Sequence, residues 1–263
     1  MIHKIEAVVL RSMNYQESSK ILTLYTREFG AIGVIVKGAR RAKNKFGASL
    51  EPLAHINAVI YKKESRELQL LTDAELISSF TKTQQDFEKL FLSLSILEFT
   101  YLATRYTEQN DALFNLIIEV LEEIESATKS PILLFYYFET RIIGMLGFQP
   151  TIDRCSSCGT TIEGLEKRGI RQVLFEIDRG TFQCEKCLPF IDTEMGVDLQ
   201  AVKMWEQLNC LSVKNILDLN VNRDLQGGLD RIISRYIEHH QPEIRTLRAK
   251  QMFDSIRPDK NNS

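Results

Sequence analysis

The sequence predicts a multidomain α+β chain: a small all-β N-terminal domain, a helical C-terminal domain, and a four-cysteine zinc ribbon inserted among the helices. Three observations carry this. The first 80 or so residues read as strands, several of which alternate at the two-residue period. From Gln84 the apolar positions switch to helical spacing. Between two helical stretches stand Cys155-x-x-Cys158 and Cys184-x-x-Cys187. The expected parts are 1–82, 83–150, 151–195 and 196–263, the second and fourth making one helical domain.

In the first part, Ile5–Arg11, Lys20–Thr26, Ala31–Lys37, His55–Lys62 and Glu67–Ile77 are rich in Val, Ile, Leu, Tyr and Thr. Gly30 and the polar run Lys63–Arg66 mark turns, and Ser49–Leu53, with Pro52, reads as a short helical turn. Five strands without long intervening helices fit a small barrel or sandwich. An OB-type five-stranded barrel is one candidate, which strand counting alone does not select.

Among the helices, Phe87, Leu90, Phe91, Leu94, Leu97 and Tyr101 form one apolar stripe. Asn110 or Asp111 caps the next helix, with Leu113, Ile117, Val120, Leu121 and Ile124 inward and Glu119, Glu122, Glu123 and Glu125 on a solvated face. A third helix starts at Pro131 and stops at Gly147. Apolar on most sides, it reads as the centre of a bundle. Asp198–Cys210, Val213–Leu219, Asp224–His240 and Glu243–Ile256 are further helices, and Arg257–Ser263 a frayed polar end.

Composition excludes some classes. The chain has 263 residues, 44% hydrophobic and 26% charged, unlike a disordered chain or a fibre. Met1–Leu10 carries Lys4 and Glu6 and has no long apolar run, so it does not read as a signal peptide. The apolar stretch Ile132–Phe148 is short and broken by Glu139 and Arg141, so no membrane span is expected. A cytoplasmic location follows. The net charge of −2 is unevenly spread: residues 1–82 hold 13 Lys/Arg and 8 Asp/Glu (+5), leaving 20 basic and 27 acidic residues (−7) elsewhere. The N-terminal part therefore suits a polyanion.

The cysteine pairs are separated by 25 residues. Each can close on one metal as a knuckle, and Cys155, Cys158, Cys184 and Cys187 together make a tetrahedral Cys₄ zinc site. Gly159 supplies the tight turn after the first knuckle. Gln172–Ile177 reads as a strand and Asp178–Gly180 as a turn between the knuckles. Two disulfides are disfavoured without a secretory signal. Four protein ligands leave no position for water, so the zinc is structural. Cys210, near Trp205, reads as a small buried hydrophobe.

A second constellation is basic. No acidic residue lies between Glu28 and Glu51, whereas Lys37, Arg40, Arg41, Lys43 and Lys45 do, with Gly38 and Gly47 for backbone freedom. Clustered cations without opposing charge are what phosphate binding needs. Tyr25, Phe29 and Phe46 could stack on bases, although each taken singly is better read as a core residue. There is no G-x-x-x-x-G-K-[ST], G-x-G-x-x-G or H-E-x-x-H motif, and no nucleophile–base–oxyanion set. The pair His239–His240 reads as a surface helix end.

Three stretches together resemble the bacterial RecO family of recombination mediators: Tyr15–Gly30 (YQESSKILTLYTREFG), Val36–Arg41 (VKGARR), and Leu146–Pro150 (LGFQP) running into Cys155–Gly159 (CSSCG). The resemblance covers nearly the whole chain. It implies an N-terminal OB fold, a helical domain with a zinc module, and no catalysis. It also implies binding and annealing of single- and double-stranded DNA, contacts with RecR and the tail of the single-strand-binding protein SSB, and help in loading RecA. By position, the cysteines match the family's zinc ligands and Lys37–Arg41 its basic OB loop. The chain departs from the family in having one glycine, Gly180, where a pair is common, and in its acidic helical part. The competing reading is a zinc-ribbon RNA-processing or RNA-modifying enzyme with an OB-like RNA-binding domain.

Overall fold

A computed structural model describes residues 1–104, 109–188, 196–244 and 247–256. The reading of Arg257–Ser263 as frayed lies outside the described residues. The chain forms two compact units, one of residues 1–131 with the segment from 246 onward, the other of residues 132–245.

The first unit is built on an OB-type barrel of five strands, β1 (Ile2–Tyr15), β2 (Ser19–Thr26), β3 (Gly30–Val36), β4 (His55–Tyr61) and β5 (Leu68–Ser78). They close in the order β1-β2-β3-β5-β4, with β3 and β5 parallel and the other pairs antiparallel. The 14-residue β1 serves two neighbours: its first half pairs with β4 and its second with β2, and an irregularity between Val9 and Arg11 bends it. Alternation sends Ile5, Ala7, Val9, Leu22, Leu24, Val34, Val36, Ile56, Ala58, Ile60 and Leu71 into one core. The short turn expected at Ser49–Leu53 is a 3₁₀ turn at Gly47–Leu50.

Helices α1 (Thr81–Gln85), α2 (Phe87–Ala103), α3 (Asp111–Ser126) and α8 (Arg248–Ile256) complete this unit. α3 buries the expected stripe, together with Phe114 and Leu116. Two expectations are corrected. The buried face of α2 is Leu92, Ile96, Leu97 and Phe99 with Ser93, Ser95 and Thr100, whereas Phe87 is 76% exposed. Ser95 and Thr100 donate to the carbonyls four residues back at 2.8 Å, so these two hydroxyls sit inside with their hydrogen bonds made. Nor is Glu125 merely solvated. Its carboxylate accepts the amides of Lys82 (2.9 Å) and Thr83 (2.6 Å) at the start of α1, the favoured place for a negative charge.

On the barrel, Glu6 accepts from Arg27 at 2.8 Å and contacts His55 Nε2 at 2.8 Å, while Arg27 lies over Phe114 and reaches Asn115 of α3. Burial raises the Glu6 pKa, but Arg27 and His55 more than offset this and leave it lowered. A carboxylate lowered in the folded state stabilises above its unfolded pKa, and that stability is lost as pH falls through the folded value. Glu6→Gln should therefore lower the melting temperature at neutral pH, and the gap to the unmodified protein should close below about pH 4. Thermal melts at both pH values check this, and a gap independent of pH would contradict it.

The second unit begins with α4 (Ile132–Met145), whose residues Ile132 to Thr140 are all buried. Tyr136 donates to Asp230 at 3.1 Å and Arg141 to the Leu211 carbonyl at 2.8 Å, tying α4 to its neighbours. The rest comprises α5 (Ile162–Lys167), a three-stranded sheet, β7 (Thr181–Cys184)–β6 (Gln172–Glu176)–β8 (Gly196–Asp198), and helices α6 (Leu199–Cys210) and α7 (Arg223–His240). Val213–Leu219 is a 3₁₀ turn over Val213–Asp218 rather than a helix, and Glu243–Ile256 divides into a turn at Pro242–Ile244 and α8. Cys210 is exposed rather than buried. It lies five residues past the fully buried Trp205, roughly 140° around the helix, and its thiol rests 3.5 Å from Glu206. Among the described residues, no helix is long and apolar enough to cross a membrane.

Candidate metal centre and nucleic-acid interface

The first knuckle closes because Gly159, at φ 67°, donates its amide to the Cys155 carbonyl at 2.9 Å. Cys155 donates to Thr160 at 2.9 Å, and Ser156 to the Phe182 carbonyl at 2.8 Å, which lays this knuckle alongside β7. The second knuckle starts at Cys184, the last residue of β7, and continues into the 3₁₀ turn Glu185–Cys187. All four sulfurs lie within 4.8 Å of one another.

The pair Cys155–Cys187 is separated by 3.9 Å, Cys158–Cys184 by 3.9 Å and Cys184–Cys187 by 3.5 Å. These distances are far from a bonded S–S length of about 2.05 Å. They match the edge of roughly 3.8 Å of a tetrahedron with metal–sulfur bonds of about 2.3 Å. The Cys184 amide, 3.3 Å from Cys155 Sγ, points a donor at the sulfur. Thr160 holds Cys158 down at about 6, burial raises Cys184, and the Cys184 sulfur helps push Cys187 up to about 12. Converging sulfurs cannot all ionise side by side without a counter-charge, and one cation replacing the thiol protons supplies it. The residues fit a metal ion.

The ribbon is fixed to helices of its own unit. Phe175 of β6 stacks on Trp205 with centroids 5.4 Å apart, and Tyr236 of α7 meets both rings edge-on. Tyr236 also donates to the Phe148 carbonyl at 3.0 Å. The β6–β7 turn needs only one glycine: Gly180 has φ 61°, and a Cβ there would stand 2.6 Å from the Tyr236 hydroxyl. His240 is no free surface group. Its Nε2 lies 3.1 Å from the Ile177 carbonyl and its ring packs between Phe148 and Tyr236, whereas His239 is exposed. A groove of about 490 Å³ lies nearby, lined by Leu174, Phe175, Ile177, Asp178, Arg235 and Glu238 among others.

In the other unit, the sequence places Lys37, Arg40, Arg41, Lys43 and Lys45 on one loop after β3, and the structure leaves all five exposed. Ala39 and Phe46 belong to the barrel core and pin the loop near both ends. Gly38, at φ 72°, turns the chain beneath Arg41. The cations are not equivalent. Arg40 donates its guanidinium to the Gln16 carbonyl and its amide to Ser18, each at 3.0 Å, which ties the loop to the β1–β2 turn. Lys45 pairs with Asp73 at 2.8 Å. Among the described residues, the side chains of Lys37, Arg41 and Lys43 have no ion-pair partner, so their charge faces solvent. Tyr25 is fully buried against Phe114 and Phe46 is in the core, so neither can stack on a base. Phe29 is half-buried under Lys62.

The sequence has clear relatives. The family model described as "Recombination protein O N terminal" matches residues 1–80, and that described as "Recombination protein O C terminal" matches residues 84–248. The DNA repair protein RecO of Chloroherpeton thalassium is 28% identical over 261 residues, covering 97% of this chain and 99% of the relative. That of Chlorobium limicola is 29% identical over 94% and 97%, and that of Chlorobaculum parvum 36% identical over 77% and 76%.

Proposed function

Since the chain belongs to the recombination protein O family of DNA repair proteins, we propose that it acts as a recombination mediator by binding DNA through its barrel rather than by catalysing a reaction. The observation that carries this reading is the basic loop, pinned into the barrel core and offering Lys37, Arg41 and Lys43 free to solvent. In this reading residues 1–82 are the DNA-binding domain. Arg40 holds the loop in place and adds charge, and Lys45 joins by exchanging Asp73 for a phosphate. Neutralising phosphates on two complementary strands lets them approach and anneal. The metal is zinc, chosen by four thiolates in tetrahedral array, and it is structural because the protein fills every position. Following the family, the partners are RecR and SSB, and the outcome is loading of RecA onto SSB-coated DNA. Annealing of complementary oligonucleotides without nucleotide, followed by fluorescence quenching, tests the reading. No acceleration over the spontaneous rate would contradict it.

SSB tails are acidic and end in an apolar residue, so their dock needs an apolar floor and a cationic rim. The groove floored by Phe175 and Ile177, with Arg231 and Arg235 one turn apart on α7, has this chemistry. The tail is expected there, on the 132–245 unit, at modest affinity because Asp178 and Glu238 share the surroundings. Arg231→Glu with Arg235→Glu should abolish tail-peptide binding in a fluorescence titration and leave oligonucleotide binding intact. Unchanged peptide affinity would move the dock elsewhere.

A further inference from the structure

The four sulfurs of the metal centre are not equally shielded. Cys155 and Cys184 are only 1% and 2% exposed and Cys187 is half-buried, whereas Cys158 stands in solvent on the turn that Gly159 closes. The cluster is therefore open to water at one sulfur, and a small polar oxidant meets that atom first.

Its neighbours favour attack. Thr160 Oγ1 lies 3.3 Å from Cys158 Sγ and accepts from the Arg168 guanidinium at 3.0 Å, so a cation stands one hydroxyl away from the sulfur. Accessible and electropositive surroundings are where thiolates react. The same guanidinium faces the negative charge that builds on the departing oxygen when a peroxide bond breaks. The other exposed thiol has the opposite setting: Cys210 rests 3.5 Å from the Glu206 carboxylate, which disfavours a second negative charge beside it. A partner for an oxidised Cys158 is already in place, because Cys184 Sγ is 3.9 Å away and a disulfide needs only a contraction to about 2.05 Å.

We propose that Cys158 is a site of modification by peroxide, which makes the metal centre a reversible redox switch. The Cys158 thiolate attacks one oxygen of hydrogen peroxide and the O–O bond breaks. The second oxygen leaves as hydroxide, takes a proton from solvent, and the sulfur becomes a sulfenic acid. The Cys184 thiolate then attacks the Cys158 sulfur and displaces its oxygen as a second hydroxide, which is also protonated. Two sulfurs have given up two electrons, and one peroxide has become two waters. Two of the four ligands are thereby withdrawn, and the site no longer retains its ion. The proposal rests on the structural-zinc reading above and adds to it the sensitivity of that site to oxidants.

The experiment treats the full chain, with its zinc, with hydrogen peroxide in the presence of a colorimetric zinc indicator. The products are alkylated after denaturation and mapped by mass spectrometry. One zinc per chain should be released as the free thiols fall from five to three, with Cys158 joined to Cys184 and Cys210 still free. Dithiothreitol with added zinc should restore both the thiols and the ion, since a disulfide is reducible where a sulfinic acid is not. Arg168→Ala should slow the release, while Arg168→Lys, which keeps the charge, and Cys210→Ser should release zinc as the unmodified protein does. Zinc retained while Cys210 is oxidised, a first disulfide that omits Cys158, or equal rates with and without the Arg168 charge would overturn the proposal and leave the zinc site standing. Protein that holds no zinc before peroxide is added would overturn the zinc reading and the switch with it.

Discussion

Cys184→Ser is expected to reduce the metal content from one ion per chain to near zero and to unfold the ribbon, leaving the barrel folded. A structural zinc site binds its ion with on the order of 10 kcal/mol, and that energy is folding energy because the ligand geometry does not exist in the unfolded chain. Cys184 is buried, ends β7, and is the sulfur that approaches both Cys158 and Cys187. Trp205, the one tryptophan in the chain, reports on the outcome because it stacks on Phe175 of the ribbon. Its emission should shift to the red in the variant and in protein stripped by a strong chelator, and zinc should restore it only in the unmodified protein. Cys158→Ser, at an exposed ligand, should lose the metal as well but disturb packing less. Folded, reduced protein without metal and with unaltered tryptophan emission would remove the zinc from this account.

The second large effect concerns charge. If all five cations of the basic loop touched phosphates of one strand, log K would fall against log salt with a slope of about −3.5. The ion pair of Lys45 with Asp73 and the tether of Arg40 to Gln16 leave three free cations, for which the slope is about −2. Changing Arg40 and Arg41 together to glutamate removes one anchor and one free charge and replaces both with repulsion, so single-strand affinity should fall by more than an order of magnitude at low salt. Arg41→Glu with Lys43→Glu separates the two causes. It leaves the Arg40 tether in place, so a similar loss identifies charge rather than loop geometry as the source. Metal content should be unchanged in both variants, because the cysteines belong to the other compact unit.

The parts of this molecule legible in the sequence are those written in local patterns. Strand alternation gave the five barrel strands, and cysteine spacing gave the cluster. The acid-free window from Glu28 to Glu51 gave the loop. Long-range pairing decided what the sequence left open. The parallel β3–β5 contact makes the wall an OB barrel, and no local signal announces it. The buried face of α2 was misread because serine and threonine look polar until their hydroxyls are seen bonded to the preceding turn. Glu125 looked like one acid among four until the N-terminus of α1 was found against it.

The central claim, that the barrel's basic loop holds DNA by its phosphates, is tested most directly by one measurement. Anisotropy of a labelled single-stranded oligonucleotide is titrated with the full chain at several salt concentrations, for the unmodified protein and for Arg41→Glu with Lys43→Glu. The account predicts a slope near −2 for the unmodified protein, made shallower by about 1.4 in the variant, with weaker binding at every salt concentration. Identical affinities and identical slopes for the two proteins would contradict it.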